Sequence, residues 1–332
     1  MTVKKMITYR PVWMGLAILW IMFFHSDISL PFPLIYLLMI GYGGVDIFMF
    51  ASGIGNYYSY MKDEKPLDFF KRRILKLAPA YIPVILVWCI FSVICNGLSI
   101  WAVIGNLFGV QTLSSSGSAF NWFITGLIIC YLLTPYLAVL IRNNSAFKNV
   151  ILVLCVIAVS LCFMTDERML VLMSRLPVYV IGMVFAKYEN SNIRKKAPLL
   201  IGGFVIGNVL LFLSVIRATE YLWSYGLYWY PFILITPGMC WIISEISSLF
   251  DKCFLSKLVS VFKFLGGFTF ELFLVHWLVF SIIGEQIYVM PYPNLVRAVI
   301  LVLSIAVAFA FNLVVKKIGK SNQDSSKNAT RT

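Results

Sequence analysis

Long runs of apolar residues fill this chain, and short polar or charged segments separate them. Each run is about 17 to 25 residues long, the length of helix that crosses the hydrocarbon core of a bilayer. The runs lack the strict alternation of apolar and polar positions that is typical of membrane barrel strands. The pattern predicts an all-α polytopic membrane protein, a bundle of about ten transmembrane helices. The predicted spans are 11–28, 34–58, 74–95, 120–141, 147–164, 170–187, 198–216, 226–245, 262–284 and 294–315.

Composition and charge agree with this pattern. Of 332 residues, 61% are hydrophobic and only 12% are charged, which leaves too few polar groups for a soluble surface. The net charge of +13 would suit a nucleic-acid partner, but lysine and arginine cluster between the spans, as the positive-inside rule expects. We predict a multi-pass protein of the cell (inner or plasma) membrane, with cytoplasmic N and C termini and no nucleic-acid partner. Four basic residues then fall on the outer side: Arg168, Arg175, Arg217 and Arg297.

The same pattern predicts one membrane domain, residues 1–319. The polar stretch 320–332, KSNQDSSKNATRT, is predicted to be a disordered cytoplasmic tail. The sequence has no nucleotide-binding glycine pattern and no cluster of histidine and cysteine at metal-ligand spacing. We therefore expect no metal, and we expect any chemistry to occur in the helix bundle or at its rims.

The chain has only two histidines, His25 and His276, and each lies near the end of an apolar run. Ionisable groups at membrane depth are costly and are therefore functional candidates. The helical rise places both histidines roughly 21 Å above the inner face, with Asp46 and Glu271 at roughly 12 and 13 Å. A histidine can take a proton from a hydroxyl while a carboxylate orients it. In the alternative interpretation the histidines bond within the bundle, and Asp46 pairs with a basic residue for assembly.

A basic group opens the third predicted span. Arg73 and Lys76 are three residues apart and share a helix face, and Arg72 lies beside them. Such a group can bind a phosphate. It is also what the positive-inside rule expects at a cytoplasmic helix end. Trp122 and Tyr131 of the fourth span are similarly ambiguous, because these residue types commonly form interfacial belts.

Five segments of the sequence together resemble the integral-membrane acyltransferase family 3. They are MGLAILWIMFFH ending at His25, GGVDIFMFASG around Asp46, FFKRRILKLAP, WFITGLIICYLLTP and ELFLVHW. Their order and spacing are similar to those of the family, and the resemblance covers nearly all of residues 8–315. Members of this family move acyl groups, commonly acetyl, from acyl-CoA to hydroxyl groups of sugars and lipids.

The resemblance implies roles for the matching residues. His25 corresponds to the essential histidine of the first span, and Asp46 lies in the glycine-rich motif of the second. We therefore predict His25 and Asp46 as catalytic residues. Arg73 and Lys76 correspond to an R-x-x-R pair that is thought to hold the phosphates of CoA, and we add Arg72 to this cofactor-binding set.

Further support for the reaction is expected from residues outside this central set. Many members of the family have arginine where this chain has Met14, and Arg10, one turn earlier on the same face, is expected to substitute for it. Trp122 and Tyr131 match aromatic positions of the fourth-span motif. The supporting residues are Arg10, Glu271, His276, Trp122 and Tyr131.

The sequence thus predicts an integral-membrane O-acyltransferase. It would move an acyl group, expected to be acetyl from acetyl-CoA, to a hydroxyl of a cell-surface glycan or lipid-linked sugar. Its predicted partners are membrane lipid, acyl-CoA and this acceptor, and no oligomeric state is predicted. One alternative is a proton-coupled transporter or flippase, with the buried ionisable residues as proton or substrate sites. Another is a glycan polymerase or ligase, but the outer segment 96–119 is nearly uncharged.

Overall fold

The computed structural model describes residues 1–114, 122–216, 226, 228–287 and 292–329. Helices make up 82% of the structure, and no strand occurs in the described residues. Arg217 and part of the predicted outer segment 96–119 lie outside these residues. The helices are α1 (Val3–Ile7), α2 (Arg10–His25), α3 (Leu34–Met39), α4 (Gly44–Met61), α5 (Pro66–Asn96), α6 (Ile100–Leu107), α7 (Trp122–Asn143), α8 (Ala146–Leu161), α9 (Glu167–Met173), α10 (Leu176–Lys187), α11 (Ala197–Ile216), α12 (Phe232–Phe250), α13 (Ser256–Leu265), α14 (Thr269–Ile287) and α15 (Pro293–Ala329).

The helices confirm an all-α polytopic membrane protein, although the predicted count of ten spans is not confirmed. Within the described ranges, six helices are long and apolar enough to cross a membrane, and α13 with α14 makes a seventh if the two count as one bent span. The helices α2 and α8 are apolar but shorter. The six are Pro66–Asn96, Trp122–Asn143, Glu167–Lys187, Ile193–Val215, Phe232–Phe250 and Pro293–Ile318.

Two predicted spans are interrupted where glycines cluster. The predicted span 34–58 contains α3, a 3-10 turn at Gly41–Gly43 and then α4. The predicted span 262–284 breaks between Leu265 and Thr269, at a pair of glycines. Glycine weakens a helix because it loses the most backbone freedom on folding. At the other end of the chain, α15 continues through Ala329, into the segment predicted as a polar tail.

The chain divides into two compact units that alternate along the sequence. Unit 1 comprises Met1–Ala17, Tyr42–Phe69 and Gly109–Gly267, and unit 2 comprises Ile18–Gly41, Phe70–Phe108 and Phe268–Thr332. Unit 1 therefore holds α4 and α7 to α13, whereas α3, α6, α14 and α15 belong to unit 2. Because the boundaries fall inside α2 and α5, each of these helices supplies residues to both units. The assignment of one membrane domain stays a prediction.

The crossing of α4 and α10 forms the centre of unit 1. A Cβ atom added at Gly53 would lie 2.0 Å from the carbonyl oxygen of Tyr179, and one added at Gly182 would lie 2.2 Å from that of Phe50. A glycine of each helix therefore packs directly against the backbone of the other helix. Glycines at helix interfaces allow backbones to approach this closely in membrane proteins, where packing rather than the hydrophobic effect drives association.

Buried hydrogen bonds tie the same crossing to α7. The Tyr179 hydroxyl accepts a hydrogen bond from Nδ2 of Asn56 at 2.9 Å. It donates one to Oγ1 of Thr134 at 2.6 Å, because Thr134 uses its own proton on the carbonyl oxygen of Cys130. These polar groups are thus satisfied inside the bundle, as buried polar groups generally are. The network links side chains of α4, α7 and α10 to one another.

Candidate active site

The two histidines of the chain contact each other inside unit 2. His25 is the last residue of α2, and His276 lies within α14. Nδ1 of His25 is 3.1 Å from Nε2 of His276. The ring centroids are 5.3 Å apart. This is about the nitrogen–nitrogen distance plus the radius of each ring, so the two rings face each other through their nitrogen edges. The fold therefore joins two residues that are 251 positions apart in the sequence.

Aromatic side chains surround this histidine pair. The ring centroid of Trp277 lies 4.7 Å from that of His25 in an edge-on arrangement, and Phe24 lies 5.2 Å from His25. Phe273 is 5.6 Å from His276 on the other side of the pair. His276 is fully buried, whereas His25 is partly exposed. Of the two imidazoles, His25 is therefore the more accessible one.

The segment that follows His25 is held by the start of α15. Nη1 of Arg297 donates hydrogen bonds to the carbonyl oxygen of Asp27 at 2.8 Å and to Oδ1 of Asn294 at 3.4 Å. The amide of Ser29 donates to the same Asn294 oxygen at 3.3 Å. Arg297, predicted only as an outer-side residue, is buried in these contacts. They fix the chain two residues beyond His25 and with it the end of α2.

Glu271 also lies in unit 2, in the first turn of α14. Its Oε1 accepts a hydrogen bond from Nδ2 of Asn312, on α15, at 2.8 Å. Glu271 precedes His276 on the same helix by about 7.5 Å of helical rise. Since their spacing is neither three nor four residues, the two side chains do not share a helix face. The structure gives the Glu271 carboxylate a partner in Asn312.

Asp46 lies in unit 1, where its carboxylate pairs with Arg175. Nη1 of Arg175 is 3.1 Å from Oδ2 of Asp46 and 3.4 Å from Oδ1. Both side chains are buried, and the guanidinium also lies 5.9 Å from the ring centroid of Trp229. Arg175 had been predicted only as an outer-side residue. The arrangement matches the alternative in which Asp46 pairs with a basic residue, and the catalytic assignment of Asp46 stays a prediction.

The three basic residues predicted to bind the donor lie together on α5 in unit 2. This helix begins at Pro66 rather than at 74, so the group lies within its second and third turns. Arg72 and Arg73 are half-buried, and Lys76 is exposed. Two guanidinium groups and an ammonium on adjacent turns offer both bidentate and single-point donors. That donor set fits a chain of phosphates.

Arg10 and His25 are the first and last residues of α2. This helix has 16 residues, and its ends are therefore about 22 Å apart. The Arg10 guanidinium lies against α4, because a Cβ atom added at Gly55 would be 3.0 Å from its Nη1. Any support that Arg10 gives the reaction must act from the far end of α2 and not by direct contact with a group at His25.

The glycine of the first-span motif has a packing role. A Cβ atom added at Gly15 would lie 2.1 Å from the carbonyl oxygen of Phe262. One added at Gly266 would lie 1.9 Å from that of Pro11. The first part of α2 therefore packs backbone to backbone against the end of α13 in unit 1.

Trp122 and Tyr131, the predicted aromatic site residues, both lie on α7 in unit 1. Trp122 is the first residue of the helix, with its ring centroid 6.1 Å from that of Phe123. Tyr131 packs edge-on against Phe69 at 6.3 Å. They share a unit with Arg10 and Asp46, whereas His25, His276, Glu271, Arg72, Arg73 and Lys76 share the other.

Comparison with known proteins gives one match. A family model described as an acyltransferase domain, that of acyltransferase family 3, matches residues 14–313. The matched range includes both histidines, the Asp46–Arg175 pair and the basic group of α5. No curated protein and no solved structure matches the chain significantly.

Proposed function

Because this chain belongs to acyltransferase family 3, we propose that it moves an acyl group, preferably acetyl, from cytoplasmic acyl-CoA to a hydroxyl of a cell-surface glycan or lipid-linked sugar. Membership of the family makes the protein a membrane acyltransferase. One observation supports the finer proposal. The partly exposed His25 imidazole, held by a buried second histidine, lies in the same compact unit as the three cations of α5.

In the proposal, the protein binds the acyl donor through the phosphates of CoA. One end of acyl-CoA carries several negative charges, and the other carries the thioester. Arg72, Arg73 and Lys76 bind the phosphates, the arginines as forks and the lysine as a point charge. The proposed topology puts this part of α5 on the cytoplasmic side of the cell membrane, as it does both termini, because basic segments face the cytoplasm.

In the proposed reaction His25 is the general base. Its imidazole takes the proton of the acceptor hydroxyl while the hydroxyl oxygen attacks the thioester carbonyl carbon. A carbon–oxygen bond forms, and the tetrahedral intermediate then expels the sulfur of CoA. The sulfur takes the proton from the His25 imidazolium, so the products are an ester and the CoA thiol.

The same histidine could instead carry the acyl group itself. An acyl-histidine intermediate would release CoA before any acceptor has bound. A burst of CoA in the absence of acceptor distinguishes this route from general-base catalysis. We favour the base, because the contacts of the imidazole with the rings of Phe24 and Trp277 limit its rotation.

Asp46 has an indirect part in the proposal. Its carboxylate forms an ion pair with Arg175. Asp46 lies in the first turn of α4, and Arg175 is the residue that precedes α10. The pair holds these helix ends together in unit 1. The glycine-rich second-span motif thereby combines a charged contact with the close approach at Gly53.

The test is comparative mass spectrometry of surface polysaccharides and lipids from cells with and without the protein. We expect a mass increase of one acetyl group in the acceptor, and we expect the His25→Ala variant to lose it at equal protein level. Cys155→Ala, a change at an exposed thiol of α8, is the matched control and should retain the modification. Full acetylation by His25→Ala would overturn the proposed role of His25.

A second measurement separates the enzyme from a transporter. Purified protein in lipid nanodiscs should release CoA from acetyl-CoA only when the acceptor is added. Proton-coupled uptake of a glycan by proteoliposomes that contain no acyl-CoA would instead support the transporter.

A further inference from the structure

We propose that His276 is a positioning residue that holds His25 in the tautomer with a proton on Nδ1 and a free lone pair on Nε2. In that state Nε2 of His25 is the atom that takes the proton of the acceptor hydroxyl. The inference deepens the proposed function and rests on it for the role of His25 as base. The tautomer itself is a property of the pair and can be measured without any activity.

His276 forms a hydrogen bond within its own helix, α14. Nδ1 of His276 is 2.9 Å from the carbonyl oxygen of Leu272, one helical turn earlier. A carbonyl oxygen can only accept hydrogen bonds, and it has two lone pairs, so it can serve both the helix and this side chain. Nδ1 of His276 must therefore carry the proton of this bond.

The burial of His276 determines its charge state. The side chain is fully buried and packs against the aromatic ring of Phe273. A charged group at membrane depth is costly, so the imidazole is neutral. A neutral imidazole has one donor and one acceptor nitrogen. Since Nδ1 donates, Nε2 of His276 is the acceptor.

The acceptor nitrogen of His276 fixes the tautomer of His25. Nδ1 of His25 lies 3.1 Å from the acceptor nitrogen of His276. If His25 carried no proton on Nδ1, two lone pairs would face each other at this distance. Nδ1 of His25 is therefore the donor, and in the neutral ring the lone pair is left on Nε2.

The arrangement also holds the His25 ring in place. Nε2 lies on the opposite side of the imidazole from Nδ1 and so points away from His276. Phe24 and Trp277 contact the ring and limit its rotation. In serine hydrolases a carboxylate fixes the tautomer of the catalytic histidine. Here a second, neutral histidine does the same.

The direct test is nitrogen NMR of protein labelled with 15N-histidine, reconstituted in lipid at neutral pH. The chain contains only two histidines, so two imidazoles give four ring-nitrogen signals. We expect both Nδ1 atoms to be protonated and both Nε2 atoms to be bare. His276→Gln leaves one imidazole and assigns the spectrum. Protonated Nε2 on His25, or a doubly protonated His276, would overturn the inference.

Kinetics of matched variants give the second readout. A glutamine side chain can place an acceptor oxygen near the position of Nε2, whereas leucine has a similar size and no acceptor. We expect His276→Gln to keep kcat within about threefold and His276→Leu to lower it about a hundredfold, with the KM for acetyl-CoA unchanged. His276→Leu should also return His25 to mixed tautomers in the spectrum. Thermal unfolding checks that both variants are folded. Equal kcat values in two folded variants would contradict the inference.

These results separate the inference from the proposed function. If the expected tautomer is present but His25→Ala acetylates normally, the proposed function fails and the pairing stands. If His25→Ala is inactive but Nε2 of His25 is protonated in the native protein, the inference fails and the proposed function stands.

Discussion

Nη1 of Arg175 lies within 3.4 Å of both carboxylate oxygens of Asp46, deep inside unit 1. One guanidinium nitrogen thus serves the whole carboxylate, so this is not a two-pronged fork. The ring of Trp229 lies beside the guanidinium. Loss of one partner from such a pair leaves an uncompensated buried charge, which is strongly destabilising. Replacement of both partners by apolar side chains leaves no buried charge.

This contrast leads to a stability prediction. Arg175→Met should lower the free energy of unfolding by about 3–5 kcal/mol, because it strands the Asp46 carboxylate. The double variant Asp46→Leu with Arg175→Met should recover most of that loss. Denaturant unfolding in detergent measures both. A double variant less stable than Arg175→Met would contradict the prediction.

The same double variant tests the predicted catalytic role of Asp46. If the pair acts by holding α4 and α10 together, the stabilised double variant should retain acyl transfer within about tenfold of the native rate. A double variant that is folded yet as inactive as His25→Ala would show that the pair takes part in the reaction beyond holding these helices together.

The glycines at the α4–α10 crossing give a second prediction. Gly53→Ala and Gly182→Ala should each destabilise the protein by about 1–3 kcal/mol or more, because each added Cβ meets a backbone oxygen that cannot move alone. Gly202→Ala in α11 is the control, since an added Cβ there meets nothing within 4 Å. It should be neutral or stabilising by up to about 1 kcal/mol. Equal thermal unfolding temperatures for all three variants would contradict the packing.

The basic group on α5 gives a third prediction. Arg73→Ala and Lys76→Ala should each raise the KM for acetyl-CoA by about tenfold or more with little change in kcat, because a hydrogen bond to a charged group contributes about 1.5–3 kcal/mol. The effect should vanish with S-acetylpantetheine, a donor that lacks the phosphates. Lys71→Ala removes an exposed lysine of the same helix and should leave both constants unchanged. A KM increase as large with the phosphate-free donor would rule out phosphate binding.

A fourth prediction concerns the contacts of Arg297 with the segment that follows His25. Arg297→Ala removes the hydrogen bond to the Asp27 carbonyl oxygen and should accelerate amide hydrogen exchange in residues 26–29. The looser end of α2 should also lower kcat by about tenfold. Arg168→Ala, which removes an exposed arginine from the first turn of α9, is the control. Unchanged exchange near His25 would show that Arg297 does not fix this segment.

Local features of the fold were predictable from the sequence. The apolar runs indicated where helices lie, and a spacing of three residues put Arg73 and Lys76 on one face of α5, because helical period is a local property. The breaks beside Gly43 and Gly266 were not predicted. A glycine in a long apolar run is compatible with both a close helix contact and a helix end.

The partners within the candidate site were not predictable in the same way. Depth estimates placed His25 and His276 at one level, yet no residue pattern states that α2 and α14 meet there. The sequence also associated Asp46 with His25, whereas in the structure its carboxylate pairs with Arg175, 129 positions away. Such pairings depend on which helices pack together. In the sequence, Arg175 is an arginine inside the predicted span 170–187, but that position does not identify Asp46 as its partner.

The separation of the two histidines along the chain has a consequence for biosynthesis. Ribosomes add about 5–20 residues per second, so His276 is made roughly 13–50 s after His25. During that interval α2 is already made, while the acceptor for the His25 imidazole does not yet exist. In the proposed pairing, the tautomer of His25 is fixed only when α14 arrives, near the end of synthesis. We therefore expect His25 of a nascent chain to remain in mixed tautomers until α14 has packed against α2.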